Sequence, residues 1–262
     1  MSLEVALGGR RGILGAPYRL LGEARSTNDE AAAWARDGAP HGALVVAESQ
    51  TKGRGRLGRA WSSPPGDGLY LSVVLRPRVP PAAAPPLTLA VGLALLDTAR
   101  AFGASAHLKW PNDLLVDVGG VRRKVAGVLT EMATSGTRIE HVIVGIGLNV
   151  GTLEFPPELT DVATSLRLAT ARALDRGEVL VTLLDGLDRR YADFIAHGTP
   201  ATVRTWKREV DFLGRVVTVS AGSEKVIGLA EDIDDEGALI VVEEHGTRHR
   251  LWAGDVQDAT AR

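Results

Sequence analysis

The period of the hydrophobic positions changes repeatedly along the chain, and each change marks a predicted element. Residues 18–23 read as a short strand leading into a helix. Thr27-Asn28-Asp29-Glu30 has capping-box spacing, and good helix formers follow until Gly38. Residues 43–47 have the apolar run of a buried strand. Residues 68–75 predict another, with Tyr70, Ser72 and Val74 alternating against Leu69, Leu71 and Val73. Five of the 13 prolines fall between Pro77 and Pro86, which predicts an extended surface connection. Residues 87–102 then predict a long apolar helix, buried on most sides. Strands are expected over 106–110, 121–133 and 138–150, with 114–118 pairing to the second across Gly119-Gly120. Asp175 suits the cap of a helix from 176 to about 196, and Thr199-Pro200 opens another that ends near Glu209.

Beyond Val210 the grammar changes. Residues 215–219, 225–230, 238–242 and 248–252 are short β-type runs, punctuated by Asp235-Glu236-Gly237 and His245-Gly246. The pattern predicts an α+β chain in two units: a mixed sheet with helices over 1–209, and a small β-barrel over 210–262.

Composition narrows the function classes. With 30 Lys+Arg against 32 Asp+Glu the net charge is −2, which excludes a chain basic throughout for coating nucleic acid or membranes. The absence of cysteine removes disulfides, thiolate metal sites and a cysteine nucleophile, and fits a reducing compartment. No signal-peptide pattern opens the chain, and the longest strongly apolar stretch, 87–96, is about half a bilayer span. A cytoplasmic protein without membrane contact is expected.

Four segments carry candidate chemistry. In Gly53-Arg54-Gly55-Arg56-Leu57-Gly58-Arg59, glycines let backbone N–H groups approach a ligand, and arginines offer bidentate donors to phosphate or carboxylate. Lys52, Arg54, Arg56 and Arg59 meet no acidic residue between Thr51 and Pro65. Lys109-Trp110-Pro111-Asn112-Asp113 stands where a strand stops, with groups suited to an aromatic base and its phosphate. Arg122-Arg123-Lys124 enters an apolar strand in which strict alternation puts Gly127, Leu129 and Glu131 on one face and Lys124 on the other. A bulge or a late strand start is needed for Lys124 to join them. Gly145-Ile146-Gly147-Leu148-Asn149 ends a strand whose glycines imply a close neighbour, either another strand or a ligand. Taken singly, each segment also has an ordinary reading as a solvated loop, a strand end or a packed strand.

Together and in this order, these segments resemble the biotin protein ligase family. The resemblance runs from about Tyr18 to Val256 and includes Ser26-Thr27-Asn28, Gln50 before the Gly-Arg loop, and Ala163-Thr164-Ser165-Leu166. It implies a catalytic domain like those of class II aminoacyl-tRNA synthetases and biotin synthetases, followed by an SH3-like barrel. It also implies an ATP-dependent, AMP-forming ligase. Such enzymes make biotinyl-5′-AMP and pass biotin to a lysine of a biotin carboxyl carrier domain of carboxylases.

The residue roles follow from the same resemblance. Lys124 and Arg56 match the catalytic cations, since a carboxylate attacking an anionic phosphate needs repulsion overcome rather than a base. Asp113 is placed to orient the acceptor amine or take its proton. Ser26, Thr27, Asn28, Gln50 and Gly53 match biotin-site positions, joined by Arg54, Arg56 and Lys124. Gly127, Leu129 and Gly145 line the ring. Arg54, Arg56, Arg59 and Lys124 face the nucleotide's phosphates, and Trp61, Lys109, Asn112 and Asn149 surround the adenylate, with Trp61 stacked on adenine.

The segment between Asp113 and Lys124 is a few residues longer than in the family. Among Arg122, Arg123 and Lys124, the last is favoured because Val125-Ala126-Gly127 follows it directly. Mg²⁺ is expected with ATP, although no protein metal cage stands out. Some members carry an N-terminal DNA-binding domain. The 25 residues before Ser26 are not expected to hold one, so neither DNA nor repression is carried over. The partner is expected to be the carrier domain, and the oligomer a monomer or homodimer. The rival readings are a lipoate or octanoate ligase or transferase of related fold, and a regulator binding nucleic acid through the basic loop.

Overall fold

The computed structural model describes residues 1–221 and 224–258, so parts of the expected 210–262 unit (222–223 and 259–262) lie outside the described residues. In chain order the larger, N-terminal part contains α1 (Leu3–Gly8), β1 (Tyr18–Leu21), α2 (Thr27–Arg36), β2 (Leu44–Ala47), β3 (Gly68–Leu75), α3 (Leu87–Ala101), β4 (Ala106–Lys109), β5 (Asp113–Val118), β6 (Val121–Ser135), β7 (Arg138–Asn149), α4 (Leu166–Thr170) and α5 (Arg176–Glu209). Its strands form a seven-stranded sheet in the order β1-β2-β3-β7-β6-β5-β4. Only β1 and β2 run parallel.

The alternation along the strands splits the sheet into two faces. Leu44, Val46, Leu71, Val73 and Val144 point to one side, where α3 and α5 bury them in the main core. Val45, Val74 and Ile143 point to the other, against Ala31 and Ala35 of α2. With both faces covered at that level, all eight residues of β3 are buried. Beyond the N-terminus of α2 the second face loses its apolar cover. There the register aligns Ser72 with Gly145 and Leu129, and Tyr70 with Gly147 and Gly127. A floor made of a hydroxyl and three glycines therefore lies beneath a helix start.

The required bulge is present. Leu114 pairs with Ala126 and Leu115 with Lys124, so Val125 is an extra residue in β6. It turns Lys124 onto the face of Gly127, and the Lys124 side chain lies against that glycine.

Other expectations need correction. The box of Thr27 and Glu30 does not form: Ser26 is the N-cap residue and makes no side-chain cap bond. Instead Gln50 caps the helix, accepting from Thr27 N at 2.9 Å. The proline-rich connection is not wholly an extended surface strand, because Pro81–Ala83 forms a 3₁₀ turn and Pro77, Ala84 and Pro86 are buried. The two expected C-terminal helices do form, end to end within Arg176–Glu209, and they are separated by a break at Gly198 (φ 71°) just before Thr199-Pro200. The stretch Pro81–Ala101 is long and apolar enough to cross a membrane by composition, but most of it is buried inside the protein as core.

After α5, β8 (Val216–Ala221), β9 (Glu224–Ile233), β10 (Leu239–Val242), β11 (Arg248–Leu251) and β12 (Asp255–Asp258) form a second, antiparallel sheet, ordered β11-β10-β9-β8-β12. Strand β12 has no counterpart in the sequence expectation, because its four residues follow a polar turn. The sheet is consistent with an SH3-like barrel but is not closed, since β11 and β12 do not pair among the described residues. It docks through Trp110, which is fully buried and donates from Nε1 to Gly237 O at 3.2 Å. Ion pairs Lys207–Asp232 and Lys109–Asp255, both 2.6 Å, add to this contact.

Candidate functional site

At the start of α2 the buried trio Ser26, Thr27 and Asn28 meets the sheet floor. Thr27 Oγ1 donates to Gln50 Oε1 (3.2 Å), and Gln50 Nε2 donates to Ser63 Oγ (2.9 Å). Ser72 Oγ lies 2.8 Å from Thr27 Oγ1 and 2.7 Å from Asn28 Oδ1, so its single proton serves one of them at a time. Asn28 Nδ2 donates to Glu131 Oε2 at 2.6 Å. The result is a row of uncharged donors and acceptors over a glycine floor, suited to the polar end of a small neutral ring system.

The Gly-Arg loop is a narrow hairpin over this floor. Gly55 N donates to Arg59 O (2.7 Å) and Trp61 N to Gly53 O (2.9 Å), around a 3₁₀ turn at Arg56–Gly58 with Leu57 at φ 57°. Gly53 lines none of the three hollows described below, contrary to the ligand-contact expectation. A side chain there would meet Trp61 O at 2.5 Å, so packing within the hairpin explains the glycine. Gly145 likewise makes room for Asn28: a Cβ would overlap its amide, 2.8 Å from Cγ.

The four loop cations, which lack acidic neighbours in sequence, do not all lack them in space. Arg54 pairs with Asp29 (2.6 Å) and Glu131 (3.2 Å), and Arg59 lies 3.7 Å from Asp255. Arg54 therefore lines the small hollow over the glycine floor as a neutralised group rather than a free cation. Arg56 differs. Its Nη1 donates to Asn112 Oδ1 at 2.9 Å, and Asn112 in turn brackets Val128 through two bonds. Burial pulls the Arg56 guanidinium below its ordinary pKa and Arg59 adds repulsion, while Asp113 opposes both. A half-buried cation whose hydrogen bond goes to a neutral amide gains most from an arriving anion.

Lys124 Nζ stands 2.7 Å from Asp113 Oδ1, an ion pair without hydrogen-bond alignment. The backbone of Lys124 is clamped by Val162 and Thr164, in the segment containing Ala163-Thr164-Ser165. Asn149 Nδ2 holds the same segment through Thr164 O at 2.9 Å. Arg122 pairs with Asp211 at the rim of the larger hollow, and Arg123 donates to Asp161 O, so of the three only Lys124 also lines the small hollow over the glycine floor.

Trp61, expected to stack on a base, lies over the glycine floor. Its ring covers the cross-strand pair Gly127 and Gly147, where a Cβ on Gly147 would stand 2.8 Å from Cζ2. Lys124 Nζ is 5.3 Å from the ring centroid, and Trp61 Nε1 is buried without a partner. Trp61 also lines the larger hollow on its other side. Trp110, from the same expectation, is a core residue.

Three hollows converge here. One of about 40 Å³ lies between Ser26, Thr27, Gln50, Trp61, Gly127 and Gly145. A second of about 580 Å³ runs past Arg59, Lys109, Asn112, Asp113, Lys124 and Asn149 to Phe155 and Asp255. A third of about 300 Å³ opens between Pro85, Thr88, Leu129, Met132 and Trp252. Arg56 borders all three. Sequence reasoning missed Ser63, Ser72, Asp29 and Asp255. Ser72 had a signal, a lone hydroxyl in an otherwise apolar strand, and Asp29 directly follows Asn28; Ser63 and Asp255 are joined to the site only by folding.

Comparison with known proteins finds similar sequences and structures. Residues 23–149 match the biotin/lipoate A/B protein ligase family, and residues 212–257 match the biotin protein ligase C-terminal domain. A biotin–[acetyl-CoA-carboxylase] ligase of Mycobacterium tuberculosis is 37% identical, over 88% of this chain and 85% of its own length. The bifunctional ligase/repressor BirA of Bacillus spizizenii is 36% identical, over 88% of this chain and 71% of that protein. The solved biotin protein ligase of Aquifex aeolicus in complex with biotin and ATP superposes with a TM-score of 0.78. It has 31% identity and covers 92% of this chain and 98% of that one.

Proposed function

This chain belongs to the biotin protein ligase family, and from that premise we propose how its residues divide the work. The enzyme activates biotin with ATP to biotinyl-5′-AMP and transfers the biotinyl group to a lysine of a biotin carboxyl carrier domain. The observation that carries the division of roles is the convergence of three hollows on Arg56. An enzyme with two small substrates and a lysine must bring three groups to one point by separate routes.

In the first step a biotin carboxylate oxygen attacks the α-phosphorus, and pyrophosphate leaves. The nucleophile is already ionised, so the cations carry the catalysis. Arg56 bridges the biotin and nucleotide hollows, and Lys124 reaches the same point from the bulged strand. Thr27, Gln50 and Ser72 supply the polar end of the biotin site, and the glycine floor supplies its depth. In the second step the acceptor amine attacks the acyl carbonyl, the C–N bond forms, and AMP leaves. In this reading Asp113 takes the proton released from nitrogen, once phosphate has drawn Lys124 away from it. We assign residues 1–209 to catalysis and 210–262 to a docked C-terminal unit, in a cytoplasmic enzyme.

Mg²⁺ enters with ATP in this reading. Among the described residues no three His, Asp or Glu side chains converge as a cage. The ion would therefore be held by triphosphate oxygens and water, and no step is assigned to it. The decisive assay is exchange of labelled pyrophosphate into ATP. Exchange should require biotin, and exchange with lipoate or octanoate but not biotin overturns the reading.

A further inference from the structure

Adenylation needs no carboxylate on the C-terminal side of the nucleotide hollow, yet Asp255 places one there. Asp255 opens β12, and its side chain reaches back to the catalytic sheet. Its Oδ1 stands 2.6 Å from Lys109 Nζ, and its Oδ2 3.7 Å from Arg59 Nη2. Its side chain is 22% exposed and lines the 580 Å³ hollow beside both cations. Burial pushes the Asp255 carboxyl up. The bond from Lys109 and the charges of Lys109 and Arg59 more than offset this and hold it below the usual carboxylate range. An anion so held matches, in charge and reach, part of what a triphosphate would bring. Lys109 ends β4 on the catalytic sheet and Arg59 closes the Gly-Arg hairpin, so one carboxylate from the second sheet grips two separate pieces of the nucleotide hollow.

We propose that Asp255 is a positioning residue that acts as a stand-in anion, competing with the phosphates of ATP for Lys109 and Arg59. Nucleotide binding then loosens the hold of the C-terminal sheet on the catalytic sheet. The inference rests on the reading of this hollow as the ATP site. It makes the C-terminal sheet responsive to nucleotide, because a competition that weakens ATP binding must weaken the sheet contact by the same factor when ATP is bound. Arg59 is the cation released first, being the longer contact and 64% exposed.

Two measurements test it. In biotin-dependent pyrophosphate exchange, Asp255→Asn should lower the KM for ATP roughly threefold to tenfold, the size expected for one partly exposed charge. The KM for biotin should not move. A tie with only a structural role would leave the KM for ATP unchanged while lowering the melting temperature, and that result, like a raised KM, overturns the proposal. The second arm uses the unaltered protein, so it does not depend on the variant folding. Hydrogen exchange over residues 250–258 should quicken when a non-hydrolysable ATP analogue is added. Unchanged or slower exchange overturns the proposal. Loss of biotin-dependent exchange in the unaltered protein would instead sink the functional reading, and the hydrogen-exchange arm would still decide this one.

Discussion

Replacing Gly145 by alanine adds one carbon to the floor of the site, and that carbon overlaps the Asn28 amide, 2.8 Å from Cγ. The floor is the middle of β7, paired on both sides, so the side chain has to yield rather than the strand. Asn28 is 4% exposed and held by Ser72 Oγ at 2.7 Å and Glu131 Oε2 at 2.6 Å. Moving it breaks both bonds, the first in a place closed to water and the second to a carboxylate that water partly reaches. At about 1–2 kcal/mol for each disrupted buried bond, the loss is about 2–4 kcal/mol. For a chain of this size that is a fall in melting temperature of roughly 5–15 °C. Denaturant unfolding of Gly145→Ala, Asn28→Ala and the double variant measures it. The double variant should be no less stable than Asn28→Ala alone, because the clashing partner is gone; biotin affinity should stay impaired. A loss below about 0.5 kcal/mol in Gly145→Ala, or full additivity in the double variant, refutes the reasoning.

The remaining expectations concern chemistry and pH. Lys124→Gln should reduce kcat for adenylation by roughly 10²–10³-fold, the cost of removing one group that stabilises developing charge, with the KM for biotin nearly unchanged; single-turnover formation of biotinyl-adenylate checks this. Asp113→Asn should slow transfer from preformed biotinyl-adenylate, and a transfer rate equal to that of the unaltered enzyme defeats its assignment. Because the Trp61 ring leaves only about 40 Å³ on the biotin side, biotin entry must displace it. Biotin should therefore change tryptophan fluorescence, and Trp61→Phe should abolish that change. Burial lowers His41 and His141 below their ordinary value of 6.5. The unfolded chain then binds protons more readily, so their contribution to stability is present above pH 6.5 and lost as pH falls below it; His41→Gln should flatten that slope in melting curves between pH 7 and about 5.

Local pattern carried most of the architecture. Period and punctuation located the strands of the large sheet and its main helices, because each is long enough to show its buried face. What pattern left out depended on contacts between distant segments. The bulge at Val125 is one example: alternation showed that Lys124 needed it, but only pairing with Leu114 and Leu115 shows where it sits. Gln50 is another, since it caps a helix 23 residues earlier in place of the capping box written into the sequence. Strand β12 was missed because four residues after a turn have too little pattern to announce a strand.

Charge shows the same division more sharply. The Gly-Arg loop looked unopposed because no acidic residue is near it in sequence. In the fold its outer arginines meet Asp29, Glu131 and Asp255, from three different elements. Arg56 is the exception, bonded to the neutral Asn112 and half sunk in the protein. This difference ranks the loop's cations by function. An arginine already paired must exchange one carboxylate for another anion, a near-neutral trade in a solvated place. Arg56 exchanges an amide for a phosphate or carboxylate in a drier one, where the gain is larger. The catalytic weight of the loop should therefore fall on Arg56, and the balancing of its neighbours is what keeps so basic a segment folded against the sheet.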